Sequence, residues 1–236
     1  MEDQPNGPRP LHAPATTPTA MTADEVLTTT RSVRRRLDLG RPVELATVRE
    51  CLRTALQAPS GSNAQRWQFV VVTDADKRAA IGEVYRRACT AYLDSPSSAG
   101  SLFTDDPERS EVQQRVHTSI THLAERMGRV PVLVIPCLQV PQGTLPAGNQ
   151  AGLWGSLLPA AWSYMLAARS RGLATAWTTL HLTYEREVAD VLGLPEDVHQ
   201  GALIPTAHHT GSSFRPAERR PLDEVLHVDG WRQQGR

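Results

Sequence analysis

The spacing of apolar residues changes along the chain between helical periodicity and short continuous runs, which predicts a mixed α and β protein. Between residues 45 and 56 the apolar positions recur every three or four residues, as on a helix with one buried face. Residues 69–72 form a β-branched and aromatic run typical of a buried strand. Earlier, Thr22-Ala23-Asp24-Glu25 has the form of a capping box, so a short helix is expected to begin there.

Similar patterns predict the remaining elements. Helices are expected from Asp74, over 106–127, over 153–171 and over 183–192, and strands over 130–135, 175–182 and 202–207. The 153–171 segment is apolar on more than one face, which predicts a central helix covered by the sheet on one side and by a second subunit on the other. Residues 1–21 are rich in Pro, Ala and Thr and are expected to form a disordered arm, with 22–236 as a single domain.

Composition narrows the classes of partner. The 236 residues include 25 basic and 25 acidic side chains, so net charge gives no reason to expect nucleic acid or a membrane surface. No apolar run approaches the roughly 20 residues that span a bilayer, and no basic-then-apolar secretory signal opens the chain. Three widely spaced cysteines form no C-x-x-C pair and fit a reduced cytoplasm. A cytoplasmic protein that binds a small molecule or another subunit is expected.

Small polar residues join the 45–56 helix to the 69–72 strand. Pro59 is expected to end the helix, and Gly61 would let the backbone approach a ligand closely. Donors and acceptors of little bulk surround it, which suits a flat ligand with polar edges. They belong to Ser60, Ser62, Asn63 and Gln65. An ordinary helix-to-strand turn has a similar composition, so the composition of this loop leaves both interpretations open.

Other motifs lie on either side of this loop. Arg31-Ser32-Val33-Arg34 opens a cluster of cations that suits a phosphate, although a solvated basic helix end has the same composition. Gly172-Leu173-Ala174-Thr175-Ala176-Trp177 follows the apolar helix, and Arg219-Arg220-Pro221-Leu222-Asp223-Glu224-Val225 lies near the C-terminus. The adjacent His208 and His209 would point to opposite faces of a strand, so no metal site is predicted.

Together with Pro59-Ser-Gly-Ser-Asn-Ala-Gln-Arg-Trp67, these motifs resemble the FMN-dependent nitroreductase family from about Thr22 to the C-terminus. The corresponding family patterns are R-S-x-R, P-S-x-x-N-x-Q-P-W, G-L-x-T/S-x-W and R-R/K-P-L-E-E-V. The resemblance implies an α+β fold, a mostly antiparallel central sheet flanked by helices. It also implies an intertwined homodimer with two FMN sites at the interface and a C-terminal tail that wraps the partner.

The resemblance also implies which residues meet FMN. Arg31 and Ser32 would lie near the phosphate or ribityl chain, Arg34 near the pyrimidine edge, and Arg219 near the phosphate, with Arg220 as the alternative. The other implied cofactor-binding residues are Pro59, Ser60, Gly61, Ser62, Asn63, Gln65, Trp177, Thr178, Thr179, Leu180 and Arg215. Two positions depart from the family pattern: Thr30 stands where a further arginine is frequent, and Arg66 stands where proline is usual.

No nucleophile triad or carboxylate pair stands out, as expected if a bound flavin carries the reaction and no side chain is catalytic. The resemblance predicts a ping-pong oxidoreductase in which NAD(P)H reduces FMN and a nitroaromatic, quinone or similar small acceptor reoxidises it. Two alternatives remain: a flavin-dependent dehydrogenase that oxidises a biosynthetic intermediate, and a non-catalytic FMN-binding protein.

Overall fold

The computed structural model describes residues 21–141, 143–211 and 214–231. Within these ranges the α-helices are α1 (Ala23–Thr29), α2 (Leu45–Ala55), α3 (Ala75–Leu93), α4 (Pro107–Ala124), α5 (Ala151–Ser170) and α6 (Glu185–Leu192). The strands are β1 (Trp67–Val72), β2 (Val132–Gln139), β3 (Leu173–Thr175), β4 (Val198–Gln200) and β5 (Ile204–His208). The first 20 residues, assigned above to a disordered arm, lie outside the described residues.

The strands form one antiparallel sheet in the order β1-β2-β5-β3, and β4 also pairs with β2. Strand β2 is central and contains Pro136, a residue that cannot donate to a ladder. Its position explains why it is tolerated: β5 pairs with Val132–Val134 and β4 with Cys137–Gln139, so Pro136 lies opposite the break between these two partners. There its carbonyl accepts a hydrogen bond from the Gly201 amide at 2.8 Å.

Helices cover both faces of the sheet because β2 alternates its side chains between two hydrophobic clusters. Leu133, Ile135 and Cys137 pack with residues of α3 and α4, whereas Val132 and Val134 pack with residues of α2 and α5. The buried Tyr164 hydroxyl of α5 lies 2.9 Å from the Thr206 hydroxyl of β5, which satisfies a polar pair inside the second cluster. The expected antiparallel sheet flanked by helices is confirmed.

Side-chain caps formed as the sequence predicted. Thr22 Oγ1 accepts from the Glu25 amide at 3.2 Å, and Glu25 Oε2 accepts from the Thr22 amide at 2.7 Å, completing the capping box of α1. Asp74 Oδ1 accepts from the Lys77 amide at the start of α3. Gly172 and Gly193 adopt the left-handed conformation, with φ of 75° and 68°, just beyond α5 and α6.

Several predicted boundaries were wrong. The strand expected over 175–182 ends at Thr175, and Leu180–Tyr184 is a 3₁₀ turn. Beyond β3 the described pairing is reduced to a hydrogen bond from the Ala176 amide to the Pro205 carbonyl at 3.3 Å and a bridge between Thr178 and Leu203. Helix α2 ends at Ala55, before Pro59, and α4 ends at Ala124 rather than 127. Strand β2 continues through Pro136 to Gln139, β5 covers 204–208, and β4 was not predicted.

Candidate active site

The segment after α1 joins the sheet and brings two of the sequence motifs into contact. Ser32 forms a parallel bridge with Thr175, and the Val33 amide donates to the Thr175 carbonyl at 2.8 Å. The Ser32 hydroxyl then accepts from the Trp177 amide at 3.1 Å. The R-S-x-R motif and the strand that follows α5 are therefore held together, although 145 residues separate Ser32 from Trp177.

Arg34 is a half-buried cation with an unused donor. Its Nη1 donates to the Ser119 hydroxyl at 3.4 Å, while its buried Nε has no hydrogen-bond partner among the described residues. Burial lowers the pKa of the Arg34 guanidinium, with the hydroxyls of Tyr85 and Tyr92 opposing the shift. The side chain stays charged at any physiological pH. A buried donor left without a partner is costly, so this position fits a ligand that presents an acceptor.

Residues 177–180, which follow β3, differ in burial and in hydrogen bonding. The buried Thr178 hydroxyl donates to the Leu203 carbonyl at 2.8 Å. Burial raises the pKa of Tyr85, and the charge of Arg34 and then a hydrogen bond to Thr178 partly offset this rise. Trp177 and Leu180 are half-buried, and Thr179 is exposed. The Thr178 side chain is thus committed to the fold, whereas the neighbouring residues remain accessible to a ligand.

Several arginines converge where α1, α5 and the segment after residue 213 meet. Arg31 Nη1 lies 3.5 Å from the Arg215 carbonyl, while the Arg36 and Arg169 guanidinium carbons lie 4.3 and 4.8 Å from the Phe214 ring centroid. Burial and then the charge of Arg36 lower the pKa of Arg169. Neither Arg31 nor Arg169 forms an ion pair with a described residue. We call Arg31, Arg36 and Arg169 the arginine cluster; its charge fits a phosphate.

The loop over residues 59–65 is held in a strained shape. Ser62, Asn63 and Gln65 have φ of 53°, 50° and 49°, in the left-handed region that non-glycine residues adopt at a cost. Gln65 Nε2 donates to Asn63 Oδ1 at 2.9 Å, and the Gly61 amide donates to the Ser156 hydroxyl of α5 at 3.0 Å. Gly61 itself has no left-handed φ; a β-carbon there would lie 3.4 Å from Ser156 Oγ, so its close approach is to α5.

Between this loop and α5 lies an open cavity of about 250 Å³. Its lining includes Ser60, Ser62 and Gln65 from the loop, Arg66 directly after it, and Ser156 from α5. A second, more apolar groove of about 660 Å³ runs between α1, α2 and α5 and includes Pro59. No hydrogen bond or ion pair within the described ranges joins the loop to Arg31, Arg34 or Trp177.

The C-terminal arginines differ from each other. Arg220 donates to Glu224 at 2.8 Å, four residues away, whereas the side chain of the exposed Arg219 has no hydrogen-bond or ion-pair partner in the region that the structure describes. Arg219 is therefore the more available for a ligand. Sequence reasoning missed Arg169, whose only signal was a cation in the last turn of an otherwise apolar helix.

The described ranges lack two other kinds of feature, a metal site and a membrane-spanning helix. No group of three or more His, Cys, Asp or Glu side chains there is placed to hold a metal ion. Among the described helices, none has the length and apolar character needed to cross a membrane.

The antiparallel sheet, its helical layers and the contact between the two motifs define the class of protein. Residues 27–206 match the model of the Nitroreductase family, and the chain belongs to this family. The resemblance noted from the four sequence motifs is thereby confirmed.

Individual relatives of this chain have low sequence identity to it. The chain is 23% identical over 205 residues to iodotyrosine deiodinase 1 of Rattus norvegicus, covering 86% of this chain and 67% of that protein. It is 23% identical over 189 residues to iodotyrosine deiodinase of Danio rerio, covering 78% of this chain and 60% of that protein. The chain thus spans only 60% of the length of the Danio rerio relative.

Solved structures share the fold. The FMN and NADPH-dependent nitroreductase NfnB from sphigopyxis sp. strain HMH has a TM-score of 0.65 at 24% identity, covering 89% of this chain and 100% of that one. Oxidized iodotyrosine deiodinase bound to FMN and 3-iodo-L-tyrosine has a TM-score of 0.64 at 20% identity, covering 88% and 98%. A BluB-like flavoprotein from Clostridium difficile 630 has a TM-score of 0.65 at 20% identity, covering 89% and 100%. The nitroreductase-like fold is confirmed.

Proposed function

We propose that this protein binds FMN and passes a hydride from NADH or NADPH, through the flavin, to a nitroaromatic, quinone or similar small acceptor. The observation that carries the proposal is Arg34, a half-buried cation whose Nε has no partner among the described residues in a member of this family. The similarity to a nitroreductase described as FMN and NADPH-dependent supports the same reaction class.

The residues of the site have distinct roles in this proposal. Arg34 donates to the acceptor-rich edge of the flavin ring and favours negative charge there. Arg31 and Arg169 neutralise the phosphate of FMN. Arg215 and Arg219, which both lie on the segment after residue 213, are the other arginines assigned to the cofactor. Ser32 fixes the backbone of Trp177, so that residues 177–180 border the ring. When bound, FMN supplies the capacity to accept and return a hydride, and the protein binds, orients and excludes water.

A homodimer completes the site in this proposal. Exposed apolar side chains line or flank the groove between α1, α2 and α5, including Leu27 and Leu56, and a second group lies on the C-terminal segment. That second group is Leu222, Val225, Leu226, Val228 and Trp231. Apolar surface on this scale is typical of a subunit interface. Since no hydrogen bond or ion pair among the described residues joins loop 59–65 to Arg31 or Arg34 of its own chain, we assign the loop to the flavin held mainly by the partner's arginines.

The test is the visible spectrum of the purified protein before and after anaerobic addition of NADH or NADPH. The proposal expects a yellow protein that bleaches with one of them and recolours with a nitroaromatic or quinone. Bleaching by an organic substrate alone would replace it with the dehydrogenase alternative, and bound flavin that never bleaches would indicate a binding protein. A chain that takes up no FMN on reconstitution would refute the central assignment.

A second candidate acceptor follows from the relatives. The two curated relatives named above are iodotyrosine deiodinases, and a structure of one such enzyme holds 3-iodo-L-tyrosine. Recolouring of the reduced protein by 3-iodo-L-tyrosine with release of iodide would favour reductive dehalogenation over nitroaromatic reduction.

A further inference from the structure

We propose that Arg66 makes the cavity beside loop 59–65 a subsite for the negatively charged group of a substrate, an inference that rests on the proposed oxidoreductase function. Arg66 lies between Gln65 and Trp67, at the position where the family pattern P-S-x-x-N-x-Q-P-W has proline. Proline offers neither charge nor donor at this point, whereas arginine offers both.

The lining of the cavity suits an anion. Its volume is about 250 Å³, and the lining residues with polar side chains are Ser60, Ser62, Gln65, Arg66 and Ser156. No Asp or Glu is among the residues that line it. The Ser156 hydroxyl already donates to the Gly152 carbonyl and the Gln65 amide to Asn63 Oδ1, so the charge of Arg66 decides the preference. A cation beside small polar side chains, without a carboxylate to neutralise it, favours a negatively charged occupant.

The backbone of Arg66 is hydrogen-bonded to a neighbouring strand, while its side chain has no partner among the described residues. The Arg66 carbonyl accepts from the Gln139 amide at 2.9 Å, and the next residue, Trp67, is buried at the start of β1. Its guanidinium has no hydrogen bond or ion pair with any described residue. The exposed side chain of Arg66 therefore extends from a fixed backbone position in the cavity lining with its donors available, as a site that recognises a carboxylate or phosphate requires.

The residues around the cavity also favour an anion in it. Asp197 lies on the segment next to β2, but its carboxylate accepts from Gln139 Nε2 at 2.9 Å and does not line the cavity. The cavity also includes Gly152 and Leu153 in the first turn of the 20-residue helix α5, where the helix dipole adds positive potential. The anion has two chemical sources in the proposed reaction: a carboxylate on the organic acceptor, or a phosphate of the nicotinamide donor.

Calorimetric titration of the purified, FMN-supplemented protein separates these sources. Benzoate is compared with benzamide, and NADP⁺ with NAD⁺, in the wild type, Arg66→Gln, Arg66→Lys and the matched control Arg49→Gln on exposed α2. We expect one anionic probe to bind about tenfold more tightly than its comparator in the wild type, as one charge-assisted contact allows. Arg66→Gln should abolish that preference, Arg66→Lys should keep most of it, and Arg49→Gln should leave it unchanged.

The outcomes are distinct. Loss of the benzoate preference in Arg66→Gln assigns the subsite to a carboxylated acceptor, and loss of the NADP⁺ preference assigns it to the donor phosphate. Equal preferences in wild type and Arg66→Gln for both pairs overturn the subsite, even if the flavin still bleaches with NADH or NADPH and the proposed function stands. A protein that binds no FMN overturns the proposed function, while the benzoate titration still reports on Arg66.

Discussion

At the scale of single residues, His181 stands apart because it is completely buried and neither ring nitrogen has a hydrogen-bond partner among the described residues. Burial lowers the pKa of His181 from 6.5 to about 4, and the polar side chain of Gln200 partly offsets the effect. The folded protein therefore keeps this imidazole neutral, whereas in the unfolded chain the His181 imidazole has its ordinary pKa of 6.5 and is protonated below that pH.

This difference predicts a pH-dependent stability. Because the unfolded state binds the extra proton, the contribution of His181 is present above pH 6.5 and is lost as pH falls towards about 4. The full loss is on the order of 3 kcal/mol. Urea unfolding at pH 7 and pH 5 should show a smaller pH difference in His181→Leu than in the wild type. Equal pH differences would contradict the prediction, whatever the packing cost of the substitution at pH 7.

Arg34 gives a prediction about the cofactor. Arg34→Gln removes the charge and one donor system from the proposed flavin edge, so FMN affinity should fall by about tenfold to a hundredfold, as for a lost charge-assisted hydrogen bond. Absorbance of released and retained FMN after dialysis measures this loss. The exposed Arg53→Gln on α2 is the matched control and should retain FMN as the wild type does.

Part of the candidate site at this scale was predictable from sequence. Motif order selected Arg31, Ser32 and Arg34 as cofactor contacts, which stay predictions, and the structure brings Ser32 to Trp177. Arg169 and His181 were not predictable, because their significance depends on what surrounds them after folding. From sequence alone, a cation at a helix end and a histidine after a strand would each be interpreted as surface residues.

At the scale of elements, helix α3 contacts the 127–129 turn through two glycines. A β-carbon at Gly82 would lie 2.5 Å from the Gly128 amide nitrogen and 2.7 Å from its Cα. These are backbone atoms and cannot swing aside, so this approach is possible only without a side chain. The contact sets how α3 lies against the turn that leads into β2.

Gly82→Ala should therefore destabilise the protein although alanine favours helices. Forcing a methyl group into this contact is expected to cost about 1–3 kcal/mol, which outweighs the helix propensity gained. Gly155→Ala in α5 is the matched control: no atom lies within 4 Å of its β-carbon, so it should stabilise the helix by up to about 1 kcal/mol. Urea midpoints of the two variants should move in opposite directions; movement of both in one direction would refute this account.

Elements were predictable where apolar periodicity was long, as in α2, and where a cap was explicit as well, as at Asp74 of α3. They were not predictable where tertiary pairing made the element. Strand β4 is only Val198–Gln200 and exists because it pairs with β2, while the described residues beyond Thr175 resemble a strand but pair only through the Ala176 amide and the bridge at Thr178. Local sequence does not contain the partner strand that decides either case.

At the scale of the whole molecule, the apolar groove between α1, α2 and α5 predicts the oligomeric state. Leu27 of α1 lines this groove and has 55% of its surface exposed in the single chain. Within the proposed homodimer it would be covered, so Leu27→Glu would bury a charge without a partner. The dimer, like the single domain over 22–236, stays a prediction until it is measured in solution.

Sedimentation velocity is the measurement for the dimer. Wild-type protein should sediment as a dimer, and Leu27→Glu should shift it to a monomer and lower its FMN content. Leu102→Glu is the matched control, because Leu102 is 39% exposed and does not line the groove. A monomeric wild type, or a fully dimeric Leu27→Glu variant, would refute the proposed interface.

The arginine cluster makes the choice of buffer a variable in every experiment on this protein. Arg31 and Arg169 lack ion pairs with described residues, so any small dianion that binds there adds to the stability of the folded state. An anion at ten times its Kd would raise the free energy of unfolding by about 1.4 kcal/mol. Phosphate buffer should therefore raise the Tm of the flavin-free protein above that in Tris at equal ionic strength, and the same phosphate should compete with added FMN. Conditions that best preserve the empty protein would then be those that most slow its reconstitution.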